Sequence, residues 1–218
     1  MMNQYGIRWP YRSRSAYHHH DDMELADEWQ REVYLHAHQT MIENHFNSVL
    51  DIGCGSGYKL AHYLGEFDTI GLELECNIAA LQQRYPQRRW EPCDLNQPVS
   101  QPVDLVICAD VIEHLVDPDQ LIRFLQQTQF QRLIFSTPDR SLLYRPWKRR
   151  YWGPPRNSAH QREWTFREFS RYISGSFEIL DHRISNRQQA TQMVTCKFPH
   201  PLPVGGESGA MVENDGAE

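Results

Sequence analysis

The sequence lacks a hydrophobic run of membrane-spanning length, although 40% of its 218 residues are hydrophobic. A transmembrane helix needs about 18 to 20 consecutive apolar residues, and no stretch of the chain approaches that length. The N-terminal segment MMNQYGIRWPYRSRS has no apolar core, so we do not expect a secretory signal. The five cysteines are an odd number without CxxC spacing, which disfavours a disulfide framework or a zinc ribbon. These absences predict a cytoplasmic protein without a membrane partner.

The sequence also lacks the positive charge that is typical of general nucleic-acid-binding proteins. The formal net charge is −6, of which the tail after Phe198 contributes −4, leaving −2 for the rest of the chain. Binding to a phosphate backbone requires clustered positive charge. Nucleic acid is therefore disfavoured as a partner, although it stays an alternative, and a small-molecule acceptor is expected instead.

Hydrophobic periodicity divides the chain into three parts. Residues 1–45 form an arm and a helix, because apolar residues recur at four-residue steps between Met23 and Phe46. Residues 46–198 contain alternating strand and helix patterns. Residues 199–218 are an acidic tail with little to bury, which predicts disorder. Nothing in these patterns indicates the oligomeric state.

Seven segments of the middle part have the composition of buried strands, and helical segments follow the first, second and fourth of them. Strands that alternate with crossover helices form a parallel sheet covered on both faces. The last two strands are expected to pair with each other in antiparallel fashion. This is an α/β, doubly wound fold, in which ligands bind beyond the carboxyl ends of the strands. The predicted strands are 48–52, 67–73, 88–93, 103–109, 131–137, 176–185 and 190–198, and the predicted helices are 57–65, 76–85, 117–128 and 165–174.

Three glycines at alternate positions follow the first strand, in the sequence DIGCGSGY. Gly53, Gly55 and Gly57 allow the chain to turn sharply and to approach a ligand closely. The dinucleotide-binding fingerprint would have glycine where the chain has Tyr58, and the Gly-Lys-Ser/Thr of a P-loop is absent. The loop is therefore not expected to bind a phosphate. Asp51, just before it, would repel a pyrophosphate but suits a ligand with an amino group or a sulfonium.

Acidic residues also end the next two strands. Glu73 is positioned to accept hydrogen bonds from ribose hydroxyls, and Asp94 could accept one from an adenine amino group. One such acid is weak evidence, since strand-end aspartates are often turn residues. Three acids at successive strand ends around a glycine-rich loop predict a site for a nucleoside with a cationic substituent.

The segments VLDIGCGSG, IGLE, PCDL and DLVICADVIEHL together resemble the class I S-adenosylmethionine-dependent methyltransferases, over residues 45–198. This resemblance implies a Rossmann-like sheet of seven strands, mostly parallel with a reversed C-terminal hairpin, and S-adenosyl-L-methionine as the cofactor. It also implies that the chain is an enzyme. The implied cofactor-binding residues are Asp51, Gly53, Cys54, Gly55, Gly57, Glu73, Leu74, Cys93, Asp94, Leu95 and Asp110.

The segment after the fourth strand carries candidate catalytic residues. Asp110, Glu113 and His114 are spaced so that they would share one face of a helical turn, and His160 precedes the last helix. The set resembles metal-dependent O-methyltransferases, including small-RNA 2′-O-methyltransferases with a His-x-x-Glu-Trp-Thr stretch. That resemblance implies Mg²⁺ or Mn²⁺ held by these four residues.

Three interpretations of this set stay open. In the first, the metal chelates vicinal hydroxyls of the acceptor. In the second, Glu113, His114 and His160 are catalytic without a metal, and a histidine acts as the general base. In the third, the residues are purely structural.

The long connection 138–163 is predicted to be an acceptor lid, because a connection of this length is typically functional. Its basic and aromatic side chains could bind phosphates, sugars or bases. The favoured reaction is therefore O-methylation of a sugar, a nucleotide-sugar or a polyol. RNA ribose 2′-O-methylation is one alternative, and a non-catalytic cofactor-binding regulatory protein is another. The arm could fold over the same opening, with Tyr11 or Tyr17 near the cofactor.

Overall fold

A computed structural model describes residues 4–14 and 23–199, which contain a seven-stranded sheet. The strand order is β3-β2-β1-β4-β5-β7-β6. Strands β1 to β5 are parallel, and β7 pairs in antiparallel fashion with both β5 and β6. The predicted Rossmann-like fold with a reversed C-terminal hairpin is confirmed. The strands are β1 (Ser48–Ile52), β2 (Asp68–Glu73), β3 (Arg89–Pro92), β4 (Val103–Ala109), β5 (Phe130–Pro138), β6 (Glu178–Asn186) and β7 (Thr191–Lys197).

Helices cover both faces of the sheet. Alternate residues of β1 face opposite ways, so that Val49 packs on the side of α1 whereas Leu50 packs on the side of α4. Both side chains are fully buried, as expected for a central parallel strand. The helices are α1 (Arg31–Glu43), α2 (Tyr58–Tyr63), α3 (Glu75–Arg84), α4 (Pro118–Gln127), α5 (Arg140–Leu143) and α6 (Phe166–Ser174), with 3₁₀ turns at Ile112–His114 and Arg149–Trp152.

The predicted N-terminal helix is shorter in the structure. Residues Met23–Gln30, which we call the strap, form turns and bends, and α1 begins only at Arg31. Strap carbonyls accept hydrogen bonds from distant side chains: Met23 from Arg84 Nη1 at 2.7 Å, and Leu25 from Ser56 Oγ at 2.5 Å. Tertiary hydrogen bonds therefore replace the helical ones that the periodicity predicted.

The C-terminal helix begins where the sequence indicates. The Thr165 hydroxyl accepts from the backbone N–H of Glu168, and the Glu168 carboxylate accepts from the N–H of Thr165, which forms a complete capping box. Among the described helices, none combines the length and the apolar character that crossing a bilayer requires. Tyr17 lies outside the described residues, as does the tail beyond Pro199 for which disorder was predicted.

Candidate active site

Two glycines of the loop after β1 occupy positions where a side chain would not fit. Gly53 has φ of 72°, and a Cβ there would lie 2.5 Å from Cγ2 of Val111. Gly57 has φ of 71°, and a Cβ there would lie 2.7 Å from the Trp90 ring. The N–H groups of Gly53 and the next residue both donate to the carbonyl of Leu72, at 2.8 and 3.1 Å. The loop backbone is thus fixed against the end of β2.

Asp51 lies under this loop and is fully buried. Its Oδ2 accepts a hydrogen bond from the Tyr34 hydroxyl at 2.8 Å, and its Oδ1 has no hydrogen-bond partner within the described part of the chain. Burial raises the pKa of Asp51 to about 7, against the opposing effects of the Tyr34 hydrogen bond and Lys59. A buried carboxylate oxygen of this kind fits the amino group of S-adenosylmethionine.

Glu73 ends β2 beside the loop, as predicted. Its Oε2 accepts from the N–H of Gly55 at 2.8 Å, and its Oε1 accepts from the N–H of Leu74 at 3.0 Å and from Asn77 Nδ2 at 3.3 Å. The backbone carbonyl of Glu73 accepts from the N–H of Cys93 at 2.8 Å, which joins the ends of β2 and β3. The carboxylate is therefore held in one orientation at the edge where a ribose is expected.

The remaining predicted cofactor residues lie along the same edge with different exposure. Cys54 is buried, and burial raises its thiol pKa well above the usual value. Asp94 is exposed two residues beyond β3, and its Oδ1 accepts from both the N–H and the amide of Asn96, at 2.9 Å each. Leu74 is exposed and Leu95 is half-buried. The Asp94 carboxylate is thus engaged in a local turn.

Asp110 differs from the expectation that it shares a helical face with Glu113 and His114. It has φ of 54° and precedes the 3₁₀ turn Ile112–His114, so the helical spacing does not apply to it. Its carboxylate accepts hydrogen bonds from Ser136 Oγ at 2.5 Å and from Gln30 Nε2 at 3.1 Å. These contacts direct Asp110 towards α1 and β5, and it is not part of the cluster formed by the other three predicted ligands.

Glu113, His114 and His160 form that cluster. One possible ligand atom from each lies within 4.8 Å of the others, and the two imidazole rings pack edge to face at 4.9 Å. Glu113 is fully buried; its Oε2 accepts from Thr137 Oγ1 at 3.0 Å. Its Oε1 has no hydrogen-bond partner among the described residues. Burial, with Asp110 nearby, raises the pKa of Glu113 well above its usual value.

Hydrogen bonds define the proton positions on the two histidines. His114 Nδ1 lies 3.1 Å from the carbonyl oxygen of Ala159, which can only accept, so Nδ1 carries a proton and Nε2 carries the lone pair of the neutral ring. His160 Nδ1 lies 2.9 Å from Glu163 Oε1, and His160 Nε2 lies 3.0 Å from the amide nitrogen of Asn157. Neutral His160 thus donates through Nδ1 and accepts through Nε2.

The N-terminal arm packs against the lid beside this cluster. The N–H of Arg12 donates to the carbonyl of Trp152 at 2.9 Å, and the Tyr11 hydroxyl accepts from the N–H of Glu163 at 2.9 Å. The Arg140 guanidinium lies 4.3 Å from the Tyr11 ring centroid and 5.0 Å from that of Tyr151. The structure therefore brings Tyr11 next to Glu163, whose carboxylate contacts His160.

One carboxylate joins the arm, the lid and α6. Glu168 Oε1 accepts from the N–H of Arg8 at 2.8 Å, and Oε2 accepts from Arg140 Nη2 at 2.6 Å. Arg140 and Glu168 are 1% and 2% exposed, so their ion pair is shielded from water. The arm is consequently an integral part of the wall around the cluster.

Sequence reasoning missed most of the side chains that contact predicted site residues, among them Glu163, Asn157, Tyr34 and Gln30. Glu163 and Asn157 follow and precede His160 by three residues, a spacing that could have indicated contact. Tyr34 and Gln30 lie 17 and 80 residues from the aspartates that they contact, and no local pattern indicates such pairs.

Comparison with known proteins agrees with this geometry. A family model described as "Methyltransferase domain" matches residues 17–174, so the chain belongs to that family. With its sheet topology and loop, it is a class I enzyme that uses S-adenosylmethionine. Comparison with curated protein sequences finds no significant match.

Several solved structures have a similar fold at 14–18% identity and a TM-score of 0.60, which shows the fold alone. One is an S-adenosylmethionine-dependent methyltransferase from Clostridium acetobutylicum ATCC 824, at 14% identity, covering 79% of this chain and 95% of that chain. Another is the methyltransferase domain of bacterial CtHen1-C, at 18% identity, covering 77% and 97%. A third is the N-methyltransferase NodS from Bradyrhizobium japonicum WM9 with bound S-adenosyl-L-homocysteine, at 15% identity, covering 82% and 95%.

Proposed function

We propose that this methyltransferase transfers a methyl group to a hydroxyl oxygen of a small molecule, such as a sugar, a nucleotide-sugar or a polyol. The observation that carries the proposal is the cluster of Glu113, His114 and His160 after β4. Because His114 donates through Nδ1 to Ala159, its Nε2 is the nitrogen that can accept a proton from a hydroxyl.

The protein's own groups support this chemistry at both ends of the reaction. When bound, S-adenosylmethionine supplies an electrophilic methyl group on a sulfonium. Asp51 Oδ1 would bind its amino group and Glu73 its ribose. His114 Nε2 would take the proton of the acceptor hydroxyl as that oxygen receives the methyl group. In-line alignment of the two reactants supplies much of the acceleration.

The composition of the lid favours a polar small molecule with a ring or a phosphate. Trp147 is 71% exposed, and the Arg145 guanidinium lies 5.5 Å from its ring centroid. Lys148, Arg149 and Arg150 are also exposed. Aromatic faces stack on sugars and bases, and arginine pairs with phosphate. The net charge of −6 disfavours RNA, whose binding depends on neutralising many phosphates.

A metal-dependent reaction is the second candidate, and the unpaired Oε1 of Glu113 favours it. One carboxylate and two imidazoles are a reasonable ligand set for Mn²⁺ or Mg²⁺. Such an ion would lower the pKa of a chelated hydroxyl. As Asp110 is oriented, it would not be among the ligands, and His160 would have to give up its hydrogen bond with Asn157 or Glu163.

The acceptor is tested by incubating the enzyme with S-adenosylmethionine and a panel of nucleotide-sugars, free sugars, inositols and short oligoribonucleotides. The readout is formation of S-adenosylhomocysteine, followed by mass spectrometry of the product. We expect turnover with a polyol and an added mass of one methyl group on oxygen. Ribose methylation of the oligoribonucleotides, with no turnover of the small acceptors, would contradict the proposal and support the RNA alternative.

The same assay separates the two chemical candidates. Without a metal requirement, turnover persists in EDTA, because His114 removes the proton. If EDTA abolishes turnover and Mn²⁺ restores it, the metal-dependent candidate replaces the general-base one. Titration of Mn²⁺ into the wild type and the Glu113→Gln variant would then report binding independently of turnover.

A further inference from the structure

We infer that the strap and the first turn of α1 complete the cofactor site. In this inference Tyr34 and Gln30 are positioning residues that orient the Asp51 and Asp110 carboxylates towards the amino-acid part of S-adenosylmethionine. The inference rests on the cofactor of the family and is independent of the acceptor proposed above.

The two carboxylates lie at the point where the strand order reverses. Asp51 is in β1 and Asp110 directly follows β4, and these two parallel strands are neighbours in the sheet. Their carboxyl ends therefore lie together at the same edge. Asp51 is fully buried and Asp110 is half-buried, and the partial loss of water raises the pKa of each carboxyl group. Buried acids at this point need hydrogen-bond donors if they are to stay charged.

The last residue of the strap and the first turn of α1 provide those donors. The Tyr34 hydroxyl donates to Asp51 Oδ2 at 2.8 Å, and Gln30 Nε2 donates to Asp110 Oδ2 at 3.1 Å. Tyr34 lies in the first turn of α1 and Gln30 is the residue just before the helix, so both donors lie at the start of α1. Gln30 has φ of 62°, a backbone conformation that costs free energy for a residue with a side chain. The surrounding contacts hold Gln30 in this conformation.

The strap is fixed to the elements that flank the glycine loop. The carbonyl of Leu25 accepts from Ser56 Oγ within the loop, and the carbonyl of Ala26 accepts from Lys59 Nζ in α2 at 3.4 Å. The Asp27 carboxylate accepts from the Tyr63 hydroxyl at 2.8 Å. Because these bonds fix the start of α1 beside the loop, the two donors are already in place before the cofactor binds.

The contact with Tyr34 defines how Asp51 can recognise a ligand. With Oδ2 engaged by the hydroxyl, the unpaired and buried Oδ1 is the oxygen that can accept from a cationic amino group. Removing the hydroxyl would free Oδ2, make the charged carboxylate less favourable and weaken binding of that amino group. A ligand without an amino-acid part, such as 5′-methylthioadenosine, should be insensitive to this change.

Isothermal titration of the full chain with S-adenosylhomocysteine and with 5′-methylthioadenosine tests the inference. We expect Tyr34→Phe to weaken S-adenosylhomocysteine binding about tenfold, the typical effect of a lost hydrogen bond to a charged group. Its affinity for 5′-methylthioadenosine should not change. Gln30→Ala should weaken only S-adenosylhomocysteine, by a smaller factor. The matched control is Gln39→Ala on the same helix, which removes an exposed bond to Glu43 and should change neither affinity.

Two results would overturn the inference. One is unchanged S-adenosylhomocysteine affinity in both variants. The other is equal weakening for both ligands, which would indicate a general structural effect. If Tyr34→Phe does not fold, the half-exposed Gln30 carries the test alone. A wild type that binds neither ligand would instead contradict the cofactor assignment itself.

Discussion

The proposed cofactor half and the proposed acceptor half of the active site are built in different ways. In the cofactor half, the glycine loop and Glu73 are 18 residues apart, and backbone N–H groups hold the carboxylate. In the acceptor half, side chains join remote segments: His114 bonds to a carbonyl 45 residues away, and Tyr11 accepts from an N–H 152 residues away. The glycine loop with Glu73 is thus a local motif, to which the strap adds longer-range contacts, whereas the acceptor half consists mainly of contacts between remote segments.

This difference predicts that changes in the two halves have separable effects. The largest effect on turnover is expected for His114→Ala, which removes the proposed general base and should lower kcat about 100- to 10,000-fold. Affinity for S-adenosylhomocysteine, measured by titration, should stay within about twofold because the cofactor half is untouched. The control is His38→Ala, at an exposed pair with Glu66. An equal loss of cofactor affinity would show that the two halves are coupled.

Arg140→Met tests whether the buried ion pair between Arg140 and Glu168 stabilises the fold. Removing one partner of a buried ion pair leaves Glu168 uncompensated, so we expect the free energy of unfolding to fall by about 3–5 kcal/mol. Urea denaturation measures this change. Arg123→Ala, which breaks an exposed pair with Asp117, should cost less than about 1 kcal/mol. Equal effects of the two variants would contradict the structural role of Arg140.

Asp51→Asn should weaken cofactor binding and stabilise the ligand-free protein. Loss of the charge should weaken S-adenosylhomocysteine binding about a hundredfold. The folded pKa of about 7 exceeds the ordinary 3.8, so the ligand-free wild type loses stability as pH rises from about 4 to 7. Asparagine does not ionise, so the variant does not lose stability in this way as the pH rises.

The ligand-free Asn variant should therefore melt at a higher temperature than the wild type at pH 8, and the difference should shrink as the pH is lowered to 5. Differential scanning calorimetry of both proteins at the two pH values measures it. A lower melting temperature for the variant at pH 8 would contradict the assignment of Asp51 as a buried charge.

The smallest effect is expected for Glu163→Gln. Glutamine can still accept from His160 Nδ1, but the bond loses its charge-assisted part, so kcat should fall about three- to tenfold. The matched control is Glu66→Gln, which changes the exposed carboxylate beside His38 and should leave kcat unchanged. If Glu163→Gln weakened cofactor binding instead, Glu163 would belong to the other half of the site.

The sequence was informative where the determinants are local. The loop glycines, the position of Glu73 and the capping box at Thr165 depend on neighbouring residues, so patterns indicated them. The helical periodicity of the strap was misleading because tertiary hydrogen bonds override it. The orientation of Asp110 depends on its positive φ and on hydrogen bonds from Ser136 and Gln30, which no spacing rule contains.

The triple hydrogen bonding of Glu168 has a practical consequence for anyone who shortens this protein. An expressed version beginning at residue 15 would lose the Arg8 N–H and the Tyr11 hydroxyl from the acceptor side. The truncated protein should still be retained on an affinity column that carries the nucleoside. Its turnover of the acceptor should nevertheless be low. Its failure in an activity screen would then be misattributed to the wrong substrate rather than to the missing residues.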